Sequence, residues 1–375
     1  MIPGFATAEG TARYCEGFSA LSSAGHFRRP EHVPGAGELW LSSVGIGTYL
    51  GEPDAATDAS YTEAIVEAVL SGVNVIDTAI NYRHQRSERN IGAALRQLIS
   101  GEVVRRDELL VCTKAGYLSL DGEVPPDPRG YFMREYLERG VMQGRDVVGG
   151  MHCMAPSYLG DQMERSRRNL GLETIDVFYV HNPETQLSQV ARPAFRDRLK
   201  AAFEMLEKAV EEGQTRFYGM ATWSGFLAPP TDKGYLSLTD ALLVAKEVAG
   251  PEHHFRFLQL PFNLAMPEAY AAQTQMAGVR GASVFELAHR SGMAVMGSAT
   301  LYQGRLTGNL PPYIGEVLGM EGDAQNAIQF SRSAPGLTTA LIGMRKKEHV
   351  RANLEVAVHP LTPEEEWKSL FSRAR

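Results

Sequence analysis

Residues 73–101 read VNVIDTAINYRHQRSERNIGAALRQLISG, and two periodicities within them decide the fold. The opening VNVID is a short run rich in β-branched residues and almost continuously apolar. Such a run suits a parallel strand buried on both faces. Farther on, Ile91, Ala94, Leu95 and Leu98 fall on one face of a helix, and Gly101 ends it. One strand followed by one helix is the unit to look for elsewhere.

The unit recurs. Strand-like runs stand at SVGIG (43–47), LLVCTK (109–114), IDVFYVH (175–181) and RFYGMA (216–221). They continue at FRFLQL (255–260), MAVMG (293–297) and TTALIG (338–343). Between them, Ala64, Ile65, Ala68 and Val69 make one helical face closed by Gly72; Phe195, Leu199, Ala202, Leu206 and Ala209 make another closed by Gly213. Eight such runs in one chain predict an α/β fold, a closed and parallel eight-stranded (β/α)8 TIM barrel. The alternative, a doubly wound open sheet, lacks support because no GxGxxG opens a helix after the first strand.

Two regions break the alternation. Residues 1–38 are rich in Gly, Ala, Pro and polar residues and read as an irregular N-terminal extension to a barrel spanning 39–375. Residues 117–156, punctuated by GEVPPDPRG and GRDVVGGMHCMAP, form a long insertion after the third strand. A loop of that length leaving the catalytic face of a barrel reads as a lid over the substrate.

Composition narrows the class. The chain has 375 residues, 44% hydrophobic and 22% charged, with a net charge of −7 that gives no reason to expect nucleic acid as a partner. Cys15, Cys112 and Cys153 are too few and scattered for a disulfide framework, so reduced thiols and a cytoplasmic location are expected. The N-terminus lacks the basic-then-apolar pattern of a secretory signal. No apolar run reaches the roughly 18–20 residues that span a bilayer, so no membrane association is expected. Oligomeric state stays open.

On the barrel hypothesis, Asp77, Lys114 and His181 close three consecutive strands, and Tyr82 lies on the turn just beyond Asp77. Each alone has an ordinary explanation as a cap, a packing ring or an ion pair. Together at one rim they suit carbonyl reduction, which needs hydride at carbon and an acid near the oxygen. A free tyrosine, with a pKa of about 10, is a poor donor at neutral pH, and a nearby ammonium is expected to lower that value. Asp77 would hold Lys114 charged, and His181 would orient the substrate oxygen.

With these residues in place, the sequence resembles the aldo-keto reductase superfamily over about 39–357. The motifs are GIGTY, VIDTAINYRHQRSERNIGAAL, VCTKAG, NLGLETIDVFYVHNPE, QLPFN, LYQGRLTG and LIGMRKKEHVRANLE. The resemblance implies a catalytic tetrad of Asp77, Tyr82, Lys114 and His181, with Tyr82 as general acid. It also implies a bound nicotinamide cofactor, NADPH in preference to NADH, without a Rossmann domain. Arg345 and Lys346 match the site of the adenosine 2′-phosphate, with Lys347 extending the cluster, and Asn353 matches the adenine contact. Gln259 matches the carboxamide-binding glutamine, and Gly47, Thr48, Leu301, Gly304 and Gly343 also fall at cofactor positions.

The match has departures. Ala221 and Thr222, followed by Trp223, stand where many relatives have Ser-Asn. Ser298 stands where many carry the tyrosine that stacks on the nicotinamide, leaving Phe262 or Trp223 as substitutes. Tyr49, Tyr117, His152 and Trp223 are expected to line the substrate pocket, with Tyr131 and Phe132 as further aromatics of the insertion. His152 and Cys153 are too few for a metal site, and none is expected. The Arg165, Arg167 and Arg168 face reads as solvated. The function implied is NADPH-dependent reduction of an aldehyde, ketone or sugar carbonyl. The alternatives are an NAD(P)+-dependent sugar or alcohol dehydrogenase, and a non-catalytic NADP(H)-binding regulatory subunit.

Overall fold

A computed structural model describes residues 1–373. Eight parallel strands close into a barrel: β1 (Val44–Gly47), β2 (Val75–Asp77), β3 (Leu110–Ala115), β4 (Ile175–His181), β5 (Thr215–Ala221), β6 (Phe255–Pro261), β7 (Ala294–Ser298) and β8 (Thr339–Gly343). Each pairs with its successor, and β8 closes on β1 with Gly343 opposite Gly47. Each strand is followed by a helix: α1 (Ala55–Leu70), α2 (Arg86–Ser100), α3 (Pro156–Leu170), α4 (Arg192–Glu211), α5 (Leu238–Ala249), α6 (Val284–Arg290), α7 (Asp323–Arg332) and α8 (Lys347–Leu354). All eight sequence runs are strands, so the TIM barrel is the fold.

The strands read as continuous apolar runs because both faces are buried. Outward residues such as Ile46, Ile76, Val111 and Phe178 pack under the helices in the main core. Inward ones, among them Val75, Leu110, Val177, Phe217, Phe257 and Leu341, form a separate cluster that fills the barrel. Among the described residues, no helix is long and apolar enough to cross a membrane.

The N-terminal segment is ordered, unlike its irregular reading. Thr7 caps the helix Ala8–Glu16 by accepting from the Gly10 N–H, and Phe27–Arg28 pairs antiparallel with Leu41–Ser42. Ala6, Val33, Ala36, Leu39 and Leu41 join the barrel's inner cluster, so this segment stoppers the end opposite the strand C-termini. Its small residues are what permit the close approach: a Cβ at Gly10 would overlap the Asp107 backbone.

The insertion also departs from a plain loop. It contains a short helix, Pro128–Phe132, a wider helical turn, Met133–Leu137, and a tight turn, Gly144–Asp146. Tyr136, Met142 and Cys153 form a satellite core with Tyr158 of α3, and Tyr131 and Phe132 pack against it. Those two aromatics therefore belong to the insertion's own packing, a correction to their reading as pocket lining. Backbone bonds from Leu118 N to Met151 O (2.8 Å) and from Cys153 N to Gly116 O (2.8 Å) draw its ends together.

Candidate active site at the barrel mouth

The ends of β2, β3 and β4 bring the four expected side chains together. Lys114 Nζ donates to Asp77 Oδ2 (2.7 Å) and to the Thr78 carbonyl (2.6 Å). The same ammonium lies 5.0 Å from the centre of the Tyr82 ring, and Tyr82 meets the His181 ring edge-on at 5.9 Å. Asp77, Lys114 and His181 are buried, and Tyr82 is partly exposed. Tyr49, 56% exposed, stacks edge-on against Tyr82 at 5.0 Å.

Electrostatics follow from this burial. Burial works against the Lys114 charge, yet Asp77 and Tyr82 outweigh it and lift its pKa above the ordinary lysine value. The same balance corrects the expectation for Tyr82. Burial raises its pKa above the usual tyrosine value, with the Lys114 charge opposing but not overcoming it. His181 is held well below the usual histidine value by burial and then by Lys114, so it is neutral at physiological pH. Its Nδ1 is buried without a hydrogen-bond partner among the described residues.

Two expected cofactor contacts are engaged within the protein. Gln259 Nε2 donates to Asp77 Oδ1 (2.8 Å), which leaves its second N–H and its amide oxygen for a ligand. Thr48 is buried and donates to Thr78 Oγ1 (2.8 Å), so its hydroxyl proton is already spent. Phe262 is fully buried and stacks on Phe330, which removes it as a substitute for the missing stacking tyrosine; Trp223, 45% exposed beyond β5, remains. His152 is likewise fully buried, with Nε2 bonded to the His181 carbonyl (2.7 Å) and Nδ1 to Gln186 (2.8 Å). It stands behind the pocket wall. Tyr117 is partly exposed and meets both histidine rings edge-on, at 5.3 Å for His152 and 5.2 Å for His181.

The remaining expected contacts stay open to a ligand. Thr222 Oγ1 is buried at the end of β5 with no partner among the described residues. Ser298 and Leu301 are partly exposed, and a Cβ at Gly304 or Gly343 would meet nothing within 4 Å. The turn after β7 is strained, with Ala299, Tyr302 and Gln303 at φ 56°, 46° and 56°. Around α8, Lys347 pairs with Glu63 and Arg351 with Glu67, whereas Arg345 and Lys346 are exposed and have no acidic partner among the described residues. Asn353 is buried on α8. The Arg165, Arg167 and Arg168 face is paired, with Asp161, Glu135 and Glu164. No group of three or more His, Cys, Asp or Glu among the described residues is placed to hold a metal ion.

The sequence reading passed over Glu184 and Asn182. Glu184 Oε1 accepts from the backbone N–H groups of Trp223 (2.8 Å), Ser224 (3.2 Å) and Gly225 (3.3 Å), clipping the loop after β5 to the loop after β4. Asn182 Nδ2 donates to the Tyr117 hydroxyl (3.1 Å). Their one signal was position, directly after His181 in HNPE.

The profile of the aldo/keto reductase family matches residues 43–226. An uncharacterized oxidoreductase of Bacillus subtilis, YqkF, is 21% identical over 346 residues, 91% of this chain and 95% of that protein. A D-threo-aldose 1-dehydrogenase of a Pseudomonas species is 27% identical over 208 residues, 51% of this chain and 53% of its own. The crystal structure of an aldo/keto reductase from Klebsiella pneumoniae, in complex with NADP and acetate, superposes with a TM-score of 0.59 at 20% identity, covering 90% of this chain and 92% of that one. The chain belongs to the aldo/keto reductase family and is an NAD(P)H-dependent oxidoreductase.

Proposed function

We propose that this protein reduces an aldehyde, ketone or sugar carbonyl with NADPH, with Tyr82 as the proton donor. The observation that carries this reading is the contact of Lys114 with both Asp77 and the Tyr82 ring. The raised pKa of Tyr82 keeps its proton in place at neutral pH until a substrate oxygen arrives. As that proton leaves, the neighbouring ammonium stabilises the phenolate, and Asp77 keeps the ammonium charged and aimed. His181 is neutral, and an orphaned Nδ1 is cheaper as an acceptor than as a buried N–H. The proton therefore sits on Nε2, where it serves as a donor that orients the carbonyl oxygen.

The residues present fit the nicotinamide cofactor. When bound, it supplies the hydride. An unpartnered buried hydroxyl costs about 1–3 kcal/mol, and Thr222 Oγ1 would recover this by bonding the carboxamide. Arg345 and Lys346, without an acidic partner among the described residues and beside the start of α8, suit the 2′-phosphate. The strained turn 299–304 suits the phosphates between the two ends. The same machinery run backwards oxidises an alcohol, and the D-threo-aldose 1-dehydrogenase likeness favours a sugar for that direction. Three buried, unpaired cysteines support a reducing, cytoplasmic setting.

The test is NADPH consumption over a panel of aldehydes, ketones and sugars, with alcohols and NADP+ in reverse, beside Tyr82→Phe. Turnover falling by about 10²–10⁴-fold in the variant, with cofactor affinity kept, is expected for loss of a general acid. Near-normal kcat in Tyr82→Phe overturns the acid role. No turnover over the whole panel favours an NADP(H)-binding regulatory subunit instead.

A further inference from the structure

We propose that His152, carried back to the rim by the 117–156 insertion, is a positioning residue that fixes His181, so that the insertion is part of the reaction apparatus. This rests on the reading of His181 as the group that orients the carbonyl. The backbone ladder between β3 and β4 ends at the pair Ala115 and Val180. The next rung would join Gly116 to His181. In its place, His152 Nε2 bonds the His181 carbonyl at 2.7 Å, and Cys153 N–H bonds the Gly116 carbonyl at 2.8 Å. Gly116 leaves room for this substitution. A Cβ there would overlap the His181 carbonyl and stand 2.8 Å from His152 Nε2.

The polarity of the contact is fixed by its neighbours. Arg198 Nη1 donates to Gln186 Oε1 (2.5 Å), so the Gln186 amide nitrogen is the end turned to His152. That nitrogen donates to His152 Nδ1 (2.8 Å) and to the His152 carbonyl (3.2 Å). His152 Nδ1 is therefore an acceptor, and Nε2 carries the proton given to the His181 carbonyl. Burial holds the His152 pKa down to about 4, so this tautomer persists at neutral pH. Arg198 also donates to the Arg145 carbonyl (2.8 Å), so the guanidinium that starts this chain is itself fastened to the insertion.

The contact matters because His181 stands at a bend. Asn182 adopts a left-handed conformation at φ 45°, and the chain leaves the barrel directly after His181. Without a donor at its carbonyl, the peptide that aims the ring is held on one side alone, through Asn182 N and the Ala221 carbonyl (2.6 Å). A displacement of about 1 Å at a reacting group can cost about 10²-fold in rate.

The experiment compares His152→Leu, His152→Gln and Arg198→Met in the full chain. His152→Leu is expected to lower kcat by about 10-fold or more with the dissociation constant for NADPH unchanged. His152→Gln, whose amide both donates and accepts, should restore most of the loss. The imidazole proton resonances of His181, assigned by their disappearance in His181→Asn, should move in the leucine variant and return in the glutamine variant. Should His152→Leu fail to fold, Arg198→Met alters a partly exposed side chain and should move the same resonances with a smaller fall in kcat. Equal kcat in the leucine and glutamine variants, unmoved His181 resonances, or a parallel loss of NADPH affinity overturns the inference. The resonances report on it even if Tyr82→Phe proves active, which would overturn only the reaction assigned above.

Discussion

Two buried ion pairs lie at opposite ends of the same barrel, and they are put to different use. Near the N-terminal end, Arg106 Nη2 bonds Asp176 Oδ2 at 2.6 Å. Their other bonds go to the backbone: Asp176 accepts from Ala6 N (2.6 Å) and Val111 N (2.8 Å), and Arg106 donates to the Leu109 and Thr174 carbonyls. At the mouth, Lys114 and Asp77 form an equally buried pair. Here only one further bond goes to backbone, from Lys114 to the Thr78 carbonyl, and the other neighbours are side chains, Gln259 on the carboxylate and the Tyr82 ring under the ammonium. A pair fastened to backbone fixes chain segments. A pair fastened to side chains sets the charge and proton affinity of a group free to meet a ligand. The residue types agree: the planar fork of Arg satisfies several fixed acceptors, whereas Lys is a compact charge on a flexible stem.

Breaking each pair should separate the two uses. Asp176→Ala strands the Arg106 charge and two backbone donors, and should cost roughly 3–5 kcal/mol of stability. For a chain of 375 residues that is a fall of about 4–6 °C in melting temperature. NADPH affinity of the folded protein should not change. Asp77→Asn keeps the side-chain volume but also leaves the buried Lys114 charge without its partner, so stability falls by a comparable amount, while kcat of the folded protein drops by about 10²-fold. Calorimetry and steady-state kinetics on the two variants decide the matter. The comparison breaks if folded Asp77→Asn keeps the wild-type kcat, or if Asp176→Ala costs activity but no stability.

The same contrast explains what the sequence could tell. The strands were readable because burial on both faces leaves an unbroken apolar run. The one clear trimming, VNVID to Val75–Asp77, occurs where Asn74 turns its side chain to Ser42 and Trp40. Asp77, Lys114 and His181 were readable because strand ends in a barrel share a rim. What stayed hidden depends on contacts between distant parts of the chain. Nothing local to Gln259 announces a bond to Asp77, 182 residues away, nor local to Ala6 a bond to Asp176, 170 away. The helix Ala8–Glu16 is held by Arg13 pairing with Asp107 and Glu108, so its own pattern is weak. The insertion's small core draws on irregularly spaced aromatics, and the place of His152 follows only once the β3–β4 ladder is known to stop at Ala115.

Away from both pairs, the cations after β8 sharpen the idea that unsatisfied charge marks a ligand site. Lys347 and Arg351 have carboxylate partners, and Arg345 and Lys346 have none among the described residues. Replacing Arg345 and Lys346 together by Ala should raise the dissociation constant for NADPH by about 10–100-fold, at about 1.5–3 kcal/mol for bonds to a charged group. NADH should lose little. Lys347→Ala, which removes an ion pair with Glu63, should barely move either. Fluorescence titration with both cofactors is the measurement, and equal losses for NADPH and NADH would remove the 2′-phosphate from this site.

The smallest effect expected is at Thr222, and it tests the contrast most finely. Its hydroxyl is buried without a partner, so deleting it should not cost the free protein anything and should relieve a desolvated group. Thr222→Val keeps the shape, and the melting temperature without cofactor should hold or rise slightly. Once NADPH is added, the wild type should gain more stability than the variant, because only the wild type pairs the hydroxyl with the carboxamide. A neutral hydrogen bond is worth about 0.5–1.5 kcal/mol, so the difference in affinity is about 2- to 10-fold. The sign of the two shifts is what matters. If Thr222→Val loses stability without cofactor and binds NADPH as the wild type does, the hydroxyl serves the fold, and an unpartnered polar atom at this mouth no longer marks where the ligand lies.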